Sequence, residues 1–234
     1  MTEPFAAQSS DIAIVGLPGA NGKAGASGDA GRLGTRGRDA NCNWMSNCTD
    51  ASTPGGTGGN GTDGQNGENG SRGNDAQPAT FTIATLIGTP VFVNAGGDGG
   101  TGGNGGGGGA GGNGGDGGQA SRCPTGSSCA GSNGGDGGNG GNGMRGGNGG
   151  NAGNGSLVKI TYTPQTPALD TVTANALAGR GGLGGLAGSG GGAGNGGRGG
   201  GGAANGKTGR QGSAGMPGTA GANGTAGRFD VTKL

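Results

Sequence analysis

Four cysteines, Cys42, Cys48, Cys123 and Cys129, form two pairs with the same C-x5-C spacing, and the chain contains no histidine. Sulfurs in this pattern have three uses: disulfides, a metal site with four thiolate ligands, or free thiols. The spacing is wider than that of common zinc sites and points to local disulfides, Cys42 with Cys48 and Cys123 with Cys129. Disulfides in turn imply an oxidising compartment, here expected to be extracellular or at a cell or virion surface. Without histidine the commonest general base and metal ligand are both missing.

Two further stretches match chemical motifs only in form. Residues 201–208, Gly-Gly-Ala-Ala-Asn-Gly-Lys-Thr, satisfy the phosphate-loop pattern, but that chemistry needs a strand before and a helix after, and glycine-rich sequence flanks both sides. Residues 58–63, Gly-Gly-Asn-Gly-Thr-Asp, begin like a calcium-binding nonapeptide, yet Gln65 stands at its apolar place and no second copy follows. No acid, base and nucleophile converge in any segment, so the expectation is a non-enzyme with no metal and no cofactor. The cysteines bracket Trp44 and Met45 in one loop and Pro124 and Thr125 in the other, and these four are the candidate binding loop. Trp44 either covers the disulfide and the end of the molecule or serves as a binding anchor. Five N-x-[ST] sequons, at Asn47, Asn60, Asn69, Asn154 and Asn223, are expected in a chain this rich in Asn, Ser and Thr.

The elements that must position these loops are glycine tracts. From Asn133 to residue 155, every third residue reads Asn133, Asp136, Asn139, Asn142, Arg145, Asn148, Asn151 and Asn154, and nearly all other positions are glycine. A period of three fits neither an α-helix nor a strand. It matches the left-handed polyproline II helix, with three residues per turn and no internal hydrogen bonds. Each peptide must then bond to a neighbour or to water. The expected fold class is a polyglycine II helix bundle: about six antiparallel helices in three hairpins, a small β-sheet base, and no α-helix.

Composition agrees with order rather than disorder only because of that period. Of 234 residues 74 are glycine, and Leu, Ile, Val and Phe together number 24, too few for a conventional core. Collagen would need far more than 9 prolines. The net charge of +1 gives no footprint for nucleic acid, and no apolar run is long enough to insert into a membrane.

In order, residues 1–10 read as a flexible arm, and residues 11–234 as one domain with pseudo-repeats 11–93, 94–174 and 175–234. Each repeat holds two glycine tracts joined by a loop, and tracts of about 20 residues would reach about 60 Å at about 3.1 Å per residue. Strands are expected at 11–15, at 80–93 with Gly88-Thr89-Pro90 as the turn, at 157–163, at 169–174 and at 228–234. The third reversal, which lacks cysteines, is expected near 201–205. All loops then fall at one end and all strands at the other. The Gly-Gly-X tracts are expected in the centre.

The Gly-X-Y and Gly-Gly-X tracts with small cystine loops resemble springtail (snow flea) glycine-rich antifreeze proteins, which implies a six-helix polyglycine II bundle with a flat row of small residues toward ice. Thr208, Ala214, Ala220 and Ala226 come nearest to such a row, interrupted by Gln211, Pro217 and Asn223. The tracts joined by loops also look like the polyglycine II domain of T-even phage tail fibre adhesins, which implies receptor-binding loops. Strands alternating with glycine hairpins are similar to the Obg-type domain, and the Gly-Gly-Asn runs to mycobacterial surface proteins of the PGRS type. The leading expectation is a structural, surface-display protein that self-associates into a homo-oligomer or fibre through its strand base and N-terminal arm. Alternatives are an adhesin contacting a surface receptor or glycan through the loop tips, and an ice-binding protein.

Overall fold

The computed structural model describes residues 11–234, and the expected arm at residues 1–10 lies outside the described residues. The expected fold class is corrected by what the described residues form. They contain one helical element, the 3-10 turn Gly200–Gly202, and ten strands. The strands are β1 Ile12–Val15, β2 Asn41–Cys42, β3 Cys48–Asp50, β4 Ala79–Leu86, β5 Val91–Ala95, β6 Ser121–Arg122, β7 Ser128–Cys129, β8 Leu157–Pro164, β9 Thr173–Leu177 and β10 Arg228–Lys233. They make two three-stranded sheets, β1-β5-β9 and β10-β8-β4, parallel throughout, and two antiparallel ribbons, β2-β3 and β6-β7. This is a strand-built molecule rather than a helix bundle on one small β base.

The glycine tracts between strands belong to no helix and no sheet. We number them T1 (16–40), T2 (53–76), T3 (96–119), T4 (131–155), T5 (179–200) and T6 (203–227). Their N–H groups bond sideways to other tracts, so the period of three in the sequence records lateral pairing of backbones. Gly19, Gly22 and Gly25 of T1 donate to Asp98, Thr101 and Asn104 of T3, each at 2.8 Å, with both numbers rising together, so T1 and T3 run parallel. The same parallel stepping joins T3 to T5, T2 to T4 and T4 to T6. Between the two sets the stepping reverses: Gly56 and Gly59 of T2 donate to Thr35 and Arg32 of T1, and Gly135 and Gly138 of T4 to Gly115 and Gly112 of T3.

The result is a slab of two layers, T1-T3-T5 and T2-T4-T6. T3 and T4 each bond to four other tracts, T2 and T5 to three, and T1 and T6 to two. Such close approach requires bare backbone. A Cβ on Gly138 would overlap the carbonyl of Gly59, and nearly every interior glycine meets a neighbouring peptide in the same way.

Two N–H groups of each triplet in T2, T3 and T4 reach other backbones, and where the adjacent tract places Asn or Asp opposite, a side chain takes an outward N–H. Asn104 Oδ1 accepts from the N–H of Leu186, Asn139 Oδ1 from Arg210, Asn148 Oδ1 from Thr219 and Asn60 Oδ1 from Asn139, at 2.8–3.0 Å. The rows of Asn and Asp are therefore acceptors for the outward amides of the adjacent tract in the same layer. Asp75 takes the N–H of Asn154 in this way, and that bond holds its carboxyl below the usual range, aided by Arg72.

Each layer continues directly into a sheet. β1, β5 and β9 lead into T1, T3 and T5, while T2, T4 and T6 lead into β4, β8 and β10. The sheets enclose the main apolar core, in which Phe92, Val158 and Ile160 are fully buried with Leu86 and Tyr162 beside them. Phe81 meets Phe92 edge to face at 5.2 Å between ring centres.

Three local expectations change. β4 and β5 do not form a hairpin across Gly88-Thr89-Pro90, because they belong to different sheets and the chain crosses between layers there. The strand expected at 169–174 begins at Thr173. Asp170 is instead the clamp of a turn, nearly buried, its carboxylate accepting the N–H groups of Gly88 and Thr166, each at 2.6 Å. The third reversal centres on Gly200–Gly202, where Gly201 (φ 57°) and Gly202 (φ 88°) occupy left-handed backbone.

Two measurements follow. Gly138→Ala should destabilise by about 1–3 kcal/mol or more through overpacking, whereas Gly192→Ala, whose Cβ would meet nothing within 4 Å, should stabilise by about 0.4–1 kcal/mol through the unfolded chain; chemical denaturation of the two variants checks this ordering. The N–H groups of Gly88 and then Thr166 hold the Asp170 carboxyl below its ordinary value. Its contribution is thus complete above about pH 3.9 and is lost as pH falls through the lower folded value. Asp170→Asn should therefore lower stability near neutrality and flatten the acid limb of the stability profile.

Candidate functional site

The end opposite the sheets is built from the two ribbons. β2-β3 joins T1 to T2, and β6-β7 joins T3 to T4. Because T1 lies beside T3 and T2 beside T4, the ribbons come out stacked, one repeat apart in sequence. The disulfides follow this stacking. Cys42 bonds to Cys123 and Cys48 to Cys129, each across 81 residues. The expected pairs within each loop are thereby corrected: the bridges tie loop to loop. They also imply an oxidising environment, and no helix among the described residues is long and apolar enough to cross a membrane.

Polar contacts fix the same junction independently of the sulfurs. The N–H of Thr125 donates to Ser46 Oγ at 2.8 Å, and Ser127 Oγ donates to the Ser46 carbonyl at 3.2 Å. Ser52 Oγ donates to the Ala130 carbonyl at 2.8 Å and lies 2.6 Å from Ser132 Oγ. Within the first loop Asn43 Oδ1 accepts the N–H groups of Met45 and Asn47, an Asx-type closure that projects the tip. Ser46 adopts a left-handed φ of 62° there.

All four candidate binding residues lie at this end. Trp44 is 82% exposed and Met45 55% exposed, so Trp44 is no cover for the disulfides, which pack instead against Ala40. Pro124 and Thr125 are exposed on the second loop, joined to the first through Ser46. Sequence reasoning missed Asn43, Ser46 and Ser127; only Asn43, two residues before Met45, carried a recognisable turn signal.

The other candidate motifs are taken up by the slab. Residues 200–202 turn into the extended tract T6, with no helix to receive phosphate. Asp63 Oδ1 accepts the N–H of Asn142, as its neighbours in the row do. Thr208, Ala214, Ala220 and Ala226 are exposed along T6, a tract at one edge of the slab.

No protein family matches the chain, and no curated protein does. Among solved structures, a springtail antifreeze protein from Granisotoma rainieri, described as a bundle of nine polyproline type II helices, is similar at 23% identity over 87% of this chain and 94% of that one. Its TM-score is 0.15, so it carries no argument about fold or function here.

Peptide mapping under non-reducing conditions should recover Cys42 linked to Cys123 and Cys48 linked to Cys129, with no bridge inside either loop. Removing one bridge by the double change Cys42→Ser and Cys123→Ser should cost about 2–4 kcal/mol in denaturation.

Proposed function

We propose that this chain is a non-enzymatic extracellular display protein, in which a stiff slab presents the cross-linked tip to a receptor or glycan at a surface. The observation that carries the reading is the exposed Trp44 and Met45 on a loop whose base is cross-linked and hydrogen-bonded to its neighbour. Two disulfides, the Asn43 closure and the Ser46 contacts restrain the tip. Large apolar side chains on a restrained loop lose little freedom on binding, which favours their use as anchors.

A second reading concerns the opposite end and favours assembly. β1 and β9 border one sheet, β4 and β10 the other, and each has a hydrogen-bonded strand on one side only among the described residues. Val231 on β10 and Leu234 just beyond it are exposed. Unpaired strand edges of this kind accept another chain, which supports a fibre or oligomer built end to end.

The tip reading is tested by binding of labelled full-length protein to a printed glycan array and to immobilised cell-surface extract. Trp44→Ala should reduce the signal at least about tenfold, the scale of an aromatic hot spot, with the thermal transition unchanged. Equal signals from both proteins, or none from either, would contradict it. Sedimentation over a range of concentrations tests assembly, and a strict monomer throughout counts against the second reading.

A further inference from the structure

Besides forming two bridges, the four sulfurs make one cluster. All four Sγ atoms lie within 4.8 Å of one another. Cys42 Sγ is 3.2 Å from Cys129 Sγ, to which it is not bonded, and Cys123 Sγ is 3.8 Å from Cys129 Sγ. Four thiolates around one Zn2+ at about 2.3 Å stand about 3.8 Å apart at tetrahedral angles. The cluster is thus near the size of a tetrathiolate site before any backbone movement.

The surroundings keep the sulfurs together without the S–S bonds. Ser46 with Thr125 and Ser127, and Ser52 with Ala130, hold ribbon to ribbon. T1 and T3 are bonded up to Ala40 and Gln119, immediately before the two ribbons begin. Cys123 and Cys129 are buried, while Cys48 is exposed and leaves a path for reductant and metal.

We infer that reduction of both bridges converts this end of the molecule into a binding site for one Zn2+, with Cys42, Cys48, Cys123 and Cys129 as the four ligands. Each disulfide takes two electrons from an added phosphine, water supplies the two protons and the oxygen of the phosphine oxide that leaves, and two thiols result. Formation of four Zn–S bonds then releases the four thiol protons. The tip therefore has two closed states, bridged in oxidising conditions and metal-clamped in reducing ones, and Trp44 is displayed in both.

The experiment uses the full chain, reduced with a phosphine, freed of excess reagent without air, and titrated with Co2+ and then Zn2+. The expected result is saturation at one metal per chain, with the visible bands of tetrahedral cobalt thiolate, bleached by Zn2+, and four sulfurs at about 2.3 Å from zinc by X-ray absorption. The oxidised protein should show none of this. Cys48→Ser should weaken binding at least about tenfold and change the cobalt spectrum. Circular dichroism follows the fold in parallel. If the reduced chain has lost structure, restoration by Zn2+ supports the site, and failure of Zn2+ to restore it overturns the inference. Absence of saturable one-to-one binding in a reduced chain that remains folded also overturns it.

Discussion

A glycine N–H, donated sideways to the carbonyl of the next tract, is the interaction on which everything else in this molecule rests. It can form only where the two backbones touch, and a single Cβ at Gly138 or its equivalents would occupy the place of the acceptor peptide. Glycine costs about 0.5–1 kcal/mol of backbone freedom relative to alanine, and a net hydrogen bond contributes about 1 kcal/mol. The tracts are therefore stable through the number of neighbours each one has. T3 and T4, bonded on four sides, anchor the slab, while T1 and T6 are corner elements that tolerate two rows of side chains.

The remaining backbone donor explains the composition of the open rows. Asn and Asp are short enough for Oδ1 to reach the outward amide of the adjacent tract, and the same residue leaves its other polar atom toward water. Asn139, Asn148 and Asn154 of T4 serve T6 in this way, while Asn60, Asn69 and Asp75 of T2 serve T4. Polar side chains thus carry out inside each layer the work that a protein with a larger core leaves to apolar packing. The apolar residues are concentrated where glycine stops, between the two parallel sheets around Phe92, Val158 and Ile160. At the other end, where the chain reverses, covalent bridges between neighbouring loops replace the missing core.

Much of this arrangement was legible in the period of three, and the limits of that legibility are physical. The glycine register located the tracts and the alternation of loops and strands. It misassigned the kind of element, because a row of glycine specifies where a backbone can be approached and not which regular structure results. Strand partners were unreadable for a similar reason: β4 and β5 are adjacent in sequence, yet Phe81 and Phe92 face each other from different layers. The cysteine pairing was misread from local spacing. The useful signal was the repeat itself, since both bridges span 81 residues and the Asn60–Asn139 and Asn69–Asn148 bonds span 79, so chemistry in one repeat is completed by the next. The exposure of Trp44 was not decidable from sequence, because it depends on how Asn43 closes the loop.

Residue-resolved hydrogen–deuterium exchange of the glycine tracts tests the central claim most directly. Amides of T3 and T4 that donate to backbone, such as Gly100, Gly103, Gly138 and Gly141, should exchange slowest, and those in the corner tracts T1 and T6 faster. Outward amides held by Asn, such as Arg210 and Thr219, should be protected well above the level of free chain. Exchange at the rate of an unstructured peptide throughout 96–155 would contradict the account, since no lateral bond would then exist to hold the slab.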